Sequence, residues 1–162
     1  MAPSLAASQP PGVRTAWLLG VAGLLPFFAS AGALWAGPGR LGPGVFLAPV
    51  LLLAYAGTIA SFLGGARWGA EIARPAGPRP VFLVSAVAPQ LAAVALLVAP
   101  LPTLDRYAGL AVVLLVQGVG DALSPELPAW YRSLRIPLTV GAVASVAAGL
   151  AWVLTLAGHP ER

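Results

Sequence analysis

The chain has 162 residues, of which 59% are hydrophobic and 9% are charged, and its net charge of +4 comes from nine arginines and five acids, without a lysine. Soluble domains contain about 45–50% apolar and about 25% charged residues, so this composition argues against a soluble domain. The absence of cysteine excludes disulfides, thiolate chemistry, iron–sulfur clusters and cysteine-ligated zinc. Basic residues are nowhere interleaved with aromatics in a run, so no nucleic-acid partner is predicted.

Five apolar stretches approach the length of about 20 residues with which a helix crosses a bilayer. We therefore predict an all-α polytopic membrane protein that forms a single bundle of five transmembrane helices. The predicted spans, in chain order, cover residues 15–36, 45–69, 81–99, 107–123 and 136–158. Short connections rich in glycine, proline and arginine, such as GPGRLGPG and RPAGPRP, separate them.

The two ends of the chain are predicted to lie outside the bundle. Residues 1–14 lack the charged-then-apolar order of a cleavable signal, so we expect a disordered tail, with a brief transit peptide as the alternative. Residues 159–162 are predicted to form a C-terminal tail, which contains the single histidine, His159.

Prolines mark several of the predicted spans. A proline inside a helix frees a backbone carbonyl, a defect that neighbouring helices or hydroxyls can satisfy in a membrane. Pro26 and Pro89 predict kinks in spans one and three. Pro137 fits the first turn of span five, where its missing N–H costs little.

Small residues recur along one helical face of span two and of span five. The predicted helix-packing residues are Gly57, Ser61, Gly64 and Gly65 in span two and Gly141, Ser145 and Gly149 in span five. Small residues let membrane helices approach closely, and we expect the stripe of span five to dock on that of span two.

Span two ends with Arg67, Trp68 and Glu71, directly after a run of small and apolar residues. On a helical wheel Trp68 and Glu71 continue the small face into the bundle, and Arg67 lies on its flank. An arginine and an acid four residues apart can pair on one helix face, which predicts a polar staple. The alternative is that these residues mark the headgroup level, with Trp68 in the aromatic belt.

Span four places an acid at the membrane boundary. From Tyr107 to Gly120 it has fourteen uncharged residues, too few to cross a bilayer, so Asp121 must lie at the edge of the hydrocarbon. Gln117, one turn earlier, faces the same way. An acid at this depth is costly unless it is paired, so we predict an ion pair of Asp121 with Arg67 or with an arginine of the fourth loop.

The fourth loop, SPELPAWYRSLRIPLT, is the other stretch rich in polar and aromatic residues. Trp130 and Tyr131 suit a membrane interface, and Arg132 and Arg135 can reach headgroup phosphates, Asp121 or Glu126. The complete candidate polar cluster, structural or ligand-binding, is Arg67, Trp68, Glu71, Asp121, Trp130, Tyr131, Arg132 and Arg135.

The distribution of arginines predicts the orientation in the membrane. The side that carries the N-terminus and the second and fourth loops has six arginines, and the other side has three. Because positive residues are retained on the cytoplasmic side, we expect a cytoplasmic N-terminus and a periplasmic C-terminus.

No catalytic residue, metal site or cofactor is predicted, since no Walker loop, G-x-S-x-G elbow or dinucleotide fingerprint is present.

Several stretches carry a family resemblance: LLGVAGLLPFF, YAGTIASFLGGARWG, SAVAP, the aspartate that closes span four, and LPAWYRSLRIPLT. From about Trp17 to Leu150 the sequence resembles the transmembrane protein 69 family of proteobacteria and mitochondria. The resemblance implies a small inner-membrane protein and brings no activity, cofactor or catalytic residue with it. The expected location is the bacterial inner membrane, since a long presequence is lacking, with the mitochondrial inner membrane as the alternative.

Two functions remain open from the sequence. The first is a non-enzymatic accessory or assembly subunit of a larger inner-membrane complex, with the lipid bilayer and other inner-membrane proteins as partners. The second is a small transporter or a lipid- or quinone-binding protein. In that case Arg67, Arg132 and Arg135 would contact an anionic lipid or a quinone, with aromatic residues as apolar walls.

Overall fold

The computed structural model describes residues 11–157, which form seven α-helices and one short 3-10 helix, with no strand in this range. The predicted C-terminal tail and residues 1–10 of the predicted N-terminal tail lie outside the described residues. The elements in chain order are α1 (Val13–Ala22), α2 (Leu25–Ala36), α3 (Pro38–Leu41), the 3-10 helix (Pro43–Leu47), α4 (Ala48–Ile72), α5 (Pro80–Val98), α6 (Thr103–Leu123) and α7 (Ala129–Ala157).

These helices make five segments that are long and apolar enough to cross a membrane. The segments are Val13–Ala36, Pro43–Ile72, Pro80–Val98, Thr103–Leu123 and Ala129–Ala157. The prediction of an all-α bundle of five transmembrane helices is therefore confirmed. Since the chain reverses direction at each connection, α4 and α6 run parallel to each other and antiparallel to α7.

The last segment begins earlier than the sequence predicts. Helix α7 starts at Ala129 rather than at residue 136, so the expectation that Pro137 lies in its first turn is wrong. The backbone N–H groups of Tyr131 and Arg132 both donate to the carbonyl of Pro128, at 3.0 and 3.1 Å, so the helix begins beside that proline. The whole AWYRSLR stretch is thereby helical, which brings Arg135 into the bundle.

The first segment is interrupted where Pro26 predicts a kink. Helix α1 ends at Ala22 and α2 begins at Leu25, with Pro26 in the first turn of α2. The Tyr55 hydroxyl of α4 donates a hydrogen bond of 2.9 Å to the carbonyl of Gly23 at the interruption. By contrast, α5 continues through Pro89 from Pro80 to Val98, so this proline does not end its helix.

Helix α4 lies at the centre of the bundle and contacts α2, α5, α6 and α7. Its fully buried residues include Leu52, Ala56 and Ala60. Around them pack buried side chains from the neighbouring helices, among them Phe27, Tyr107, Leu110, Leu114, Ala142 and Val146. Large apolar residues on the outside of the bundle, such as Phe62, are exposed, as a lipid-facing surface requires.

The small residues of α4 pack against α5. A Cβ atom added to Gly64 would lie 2.3 Å from the carbonyl oxygen of Ala86, and one added to Gly57 would lie 2.8 Å from Leu97 Cδ1. Ser61 is half-buried and donates to the Gly57 carbonyl at 3.1 Å. Gly65 has open space around it, so its predicted role in packing within the bundle is not supported.

The small residues of α7 have other partners. Gly141 faces Leu24, the residue before α2, whereas Gly149 faces Tyr107 of α6 and Leu52 of α4. Ser145 is buried, and its hydroxyl donates to the Gly141 carbonyl at 2.8 Å. The expectation that the stripes of spans two and five dock on each other is therefore wrong, because α5 already covers the small face of α4.

The contrast between Gly64 and Gly65 gives a direct test of the α4–α5 contact. Gly64→Ala would push a methyl group into the backbone of α5, and overpacking of this kind costs about 1–3 kcal/mol. Gly65→Ala adds the same methyl group in open space and gains up to about 1 kcal/mol of helix propensity. We expect the apparent melting temperature in detergent to fall for Gly64→Ala and to stay or rise for Gly65→Ala. Equal melting temperatures would contradict the observed packing.

Candidate functional site

The Asp121 carboxylate lies between two arginines in the interior of the bundle. Asp121 is 0% exposed. Its Oδ1 is 2.5 Å from Arg67 Nε of α4, and its Oδ2 is 2.9 Å from Arg135 Nε of α7. The ion pair predicted for Asp121 is present, with Arg67 and with an arginine that follows the fourth loop. We call these three residues the aspartate triad.

The two arginines do not bind the carboxylate in the same way. Arg67 Nε donates a hydrogen bond to Asp121 Oδ1. Arg135 Nε and Asp121 Oδ2 are at ion-pair distance, yet neither atom has a hydrogen-bond partner, so the Nε–H bond is not directed at the oxygen. Arg67 is therefore the stronger partner, and Arg135 contributes charge without a directed bond.

Close helix contacts bring the triad together. One turn before Asp121, a Cβ atom at Gly118 would lie 2.0 Å from the hydroxyl oxygen of Thr139, so only glycine allows this approach of α6 to α7. Because α6 and α7 are antiparallel, the same approach places Asp121 beside Arg135, one turn before Thr139. On the parallel helix α4, the carbonyl of Ala60 accepts a 3.3 Å hydrogen bond from Gln117 Nε2.

A second ionic group, the glutamate cluster, lies nearby and consists of Glu71, Arg74, Arg79 and Glu126. The Glu71 carboxylate accepts hydrogen bonds from the backbone N, Nε and Nη2 of Arg79, at 2.8, 2.9 and 2.8 Å. Arg79 also bridges to Glu126 through both terminal nitrogens. Arg74 is farther away, at 3.9 Å from Glu71 and 3.8 Å from Glu126.

The predicted staple between Arg67 and Glu71 is wrong. Arg67 extends across to α6, and the connection after α4 folds back so that Arg79 meets Glu71. Hydrogen bonds to Glu71, and then to Glu126, raise the pKa of Arg79 above its ordinary value. The hydrogen bond from Arg79 in turn lowers the pKa of Glu126. The glutamate cluster thus fastens the ends of α4 and α5 to the connection before α7.

The remaining residues of the predicted cluster take no part in the ion pairs of the two groups. Trp68 is 41% exposed, so the expectation that it points into the bundle is wrong, and its position fits the headgroup level. Arg132 Nε donates to the carbonyl of Ala122 at 2.9 Å, near the end of α6, instead of pairing with an acid. Trp130 and Tyr131 pack edge to face, with ring centroids 5.8 Å apart.

Trp130, Tyr131 and Arg135 line one lateral cleft of about 350 Å³ between the first segment, α4 and α7. Its other walls are mostly apolar and include Leu19, Phe62, Leu63 and Leu138, and Thr139 adds one hydroxyl group. Arg135 is the only charged residue in this lining. Sequence analysis thus identifies three of the residues that form the cleft, but it does not show that α1 and α2 supply the facing wall.

Sequence reasoning missed several residues that shape the site. Arg74 and Arg79 entered only the orientation count, although the short connection RPAGPRP implies that they return close to Glu71. Gly118 and Thr139 carry no local signal, since their importance depends on which helices face each other. Among residues 11–157, no three His, Cys, Asp or Glu side chains lie close enough to hold a metal ion.

Fold and site together define a small polytopic helical membrane protein with its buried charges gathered at one end of the bundle. Residues 12–151 match the family described as "Protein of unknown function (DUF3429)". Transmembrane protein 69 of Xenopus tropicalis is 40% identical over 146 residues, which cover 85% of this chain and 54% of that protein. The chain therefore belongs to the DUF3429 family, and the resemblance to transmembrane protein 69 is confirmed.

The chain spans about half the length of the curated relative that it matches. No solved structure matches it. The five apolar helices and the membrane relative together place the protein in a membrane.

The aspartate triad predicts a large effect of removing the carboxylate charge. Asp121→Asn keeps the shape of the side chain but leaves Arg67 and Arg135 without a counter-ion, and breaking a buried ion pair costs about 3–5 kcal/mol. Asp105→Asn is the matched control, because Asp105 is exposed in the first turn of the same helix and contributes at most about 1 kcal/mol. We expect a large loss of folded protein in detergent for Asp121→Asn alone.

A charge swap provides the second arm of this test. Asp121→Arg should abolish folding, and Arg67→Asp in the same chain should restore part of the folded yield. Recovery of the folded yield should be partial, because in the double variant Arg135 faces the new guanidinium at position 121 instead of a carboxylate. Absence of recovery with either Arg67→Asp or Arg135→Asp would contradict the pairing.

Proposed function

We propose that this protein is a non-enzymatic membrane protein that binds an amphipathic constituent of the bilayer, a lipid or a quinone, in the lateral cleft. The observation that supports this proposal is the position of Arg135, the single charged residue in the lining of a mostly apolar cleft. Ligand sites in proteins are mostly apolar, with a few polar groups that fix the orientation of the ligand.

The surroundings of the cleft suit a ligand that arrives from the bilayer. The wall residues Leu19 and Phe62 are also exposed on the outer surface of the bundle, so the cleft is continuous with the lipid-facing side. Trp130 and Tyr131 have apolar rings with a polar edge, a combination enriched where a bilayer meets water. An amphipathic molecule could therefore place its tail along the apolar wall and its head near Arg135.

The buried acids are engaged in ion pairs, which supports a non-enzymatic role. Asp121 pairs with Arg67 and Arg135, and Glu71 pairs with Arg79. A general base must reach the substrate proton that it takes up, and these carboxylates face arginine side chains instead.

We also propose the cytoplasmic side of a bacterial inner membrane as the location of the cleft. Arg67, Arg74, Arg79, Arg132 and Arg135 lie at the same end of the bundle as the cleft. An excess of arginine in short connections favours retention of that end in the cytoplasm. The mitochondrial inner membrane is the alternative location.

Filling the cleft tests ligand binding without touching any charge. Ala16 lines the cleft, so Ala16→Phe should place a ring where the tail of the ligand would lie. Ala144 of α7 is exposed to the lipid-facing side, so Ala144→Phe is the matched control. Native mass spectrometry of protein purified in mild detergent should show a bound lipid or quinone in wild type and Ala144→Phe, and not in Ala16→Phe. Equal occupancy in all three proteins would refute the proposal.

A second candidate function is the accessory or assembly subunit, for which α4 provides a specific observation. Gly65 and Gly69 are exposed and lie one turn apart beside exposed Phe62 and Trp68, and a Cβ atom added to either glycine would have open space around it. Such a smooth surface allows close approach of a helix from another membrane protein.

Gly65→Leu tests whether this surface of α4 contacts another membrane protein or only lipid. The larger side chain should remove the protein from a larger complex on native gels, while its melting temperature stays close to that of wild type because the position is open. If wild type migrates as a monomer in native membranes, or if Gly65→Leu leaves the complex intact, the accessory role at this surface is excluded.

A further inference from the structure

We infer that the lateral cleft selects a lipid whose head carries one negative charge, held by the guanidinium of Arg135. This inference rests on the proposed function and adds the charge of the ligand and the residue that recognises it. It starts from the balance of charges at this end of the bundle.

The glutamate cluster is neutral, because Glu71 and Glu126 offset Arg74 and Arg79. The aspartate triad is not neutral. Two arginines, Arg67 and Arg135, contact the single carboxylate of Asp121. One positive charge in the triad therefore lacks a counter-ion among the described residues.

No other acid of the described chain can supply that counter-ion. Asp105, the remaining acid in this range, lies sixteen residues before Asp121 on α6, which at 1.5 Å per residue is roughly 24 Å away. Glu71 and Glu126 are held by Arg79. Arg132, the other arginine near the cleft, donates to the carbonyl of Ala122 and adds no negative charge.

Both arginines of the triad have a buried nitrogen without a hydrogen-bond partner, Nη2 of Arg67 and Nε of Arg135. Arg67 still donates one directed hydrogen bond to Asp121, whereas Arg135 makes none. Only 5% of the Arg135 side chain is exposed, and Arg135 lines the cleft, whereas Arg67 lies outside it. An anion that enters the cleft would therefore meet the less satisfied guanidinium.

A buried charge without a partner is costly, and its cost falls when an anion provides both charge and acceptor oxygens. A carboxylate, or a phosphodiester in a head without a cation, satisfies both conditions. A quinone carbonyl offers an acceptor without charge, and a zwitterionic head adds a cation that opposes Arg135, so both should bind less well.

The test compares ligands of different head charge on delipidated wild-type protein by native mass spectrometry. The probes are dioleoylphosphatidylglycerol, oleate, dioleoylphosphatidylcholine and decylubiquinone. A charge-assisted hydrogen bond is strong enough to favour an anionic probe over decylubiquinone by about tenfold or more, and the choline cation should weaken the binding of phosphatidylcholine relative to phosphatidylglycerol. Preference for phosphatidylglycerol identifies a phospholipid headgroup as the source, and preference for oleate identifies a free fatty acid. Either result supports the inference, and equal binding of all probes overturns it.

Variants then test whether Arg135 causes the preference for an anionic probe. Arg135→Gln should reduce the preference for the anionic probe to near onefold, Arg135→Lys should retain part of it, and Arg132→Gln, the matched control, should leave it unchanged. If Arg135→Gln fails to fold, Ala16→Phe replaces it, because that change blocks the cleft and leaves every charge in place. Anion preference that survives in the blocked or neutral variant overturns the assignment of the site.

The outcomes separate this inference from the proposed function. Quinone or phosphatidylcholine bound without anion preference, and lost in Ala16→Phe, refutes the inference while the proposed binding function stands. Binding of no probe refutes both.

Discussion

The architecture depends on one carboxylate, that of Asp121, held between arginines of two other helices. A buried charge is costly in a membrane protein, and the Asp121 carboxylate is fully buried, so it is stable only when its arginine partners are in place. Asp121 thereby ties α6 to Arg67 of α4 and to Arg135 of α7. The hydrophobic effect cannot hold these helices together, because lipid is as apolar as their side chains.

Close packing makes this ionic contact geometrically possible. Gly118 lets α6 approach Thr139 of α7, and Gly64 lets α4 approach the backbone of α5 at Ala86. At the same end of the bundle, the glutamate cluster fastens the connections, so the helix ends that carry the aspartate triad are fixed relative to each other. The same helices are thus held together both by dispersion contacts between closely packed helices and by a few buried ion pairs.

The same arrangement has a consequence for function. The triad keeps a positive charge because two arginines share one acid. Arg135 also lines the lateral cleft, which lies beside the interruption between α1 and α2 and the first turns of α7. The residues that stabilise the bundle are then also the residues that a ligand would meet. A structural ion pair and a binding site are therefore compatible at this position.

The sequence by itself determined the membrane class, the number of spans and the pairing of Asp121 with an arginine, because apolar length and the cost of an unpaired charge are local properties. Only the tertiary structure decided which helix covers each small face, that Glu71 pairs with Arg79, that Trp68 turns outward, and that α7 begins at Ala129. A helical wheel shows which residues share a face, but not which neighbour meets it. Two small-residue stripes look alike in sequence, and their partners depend on the packing of the whole bundle.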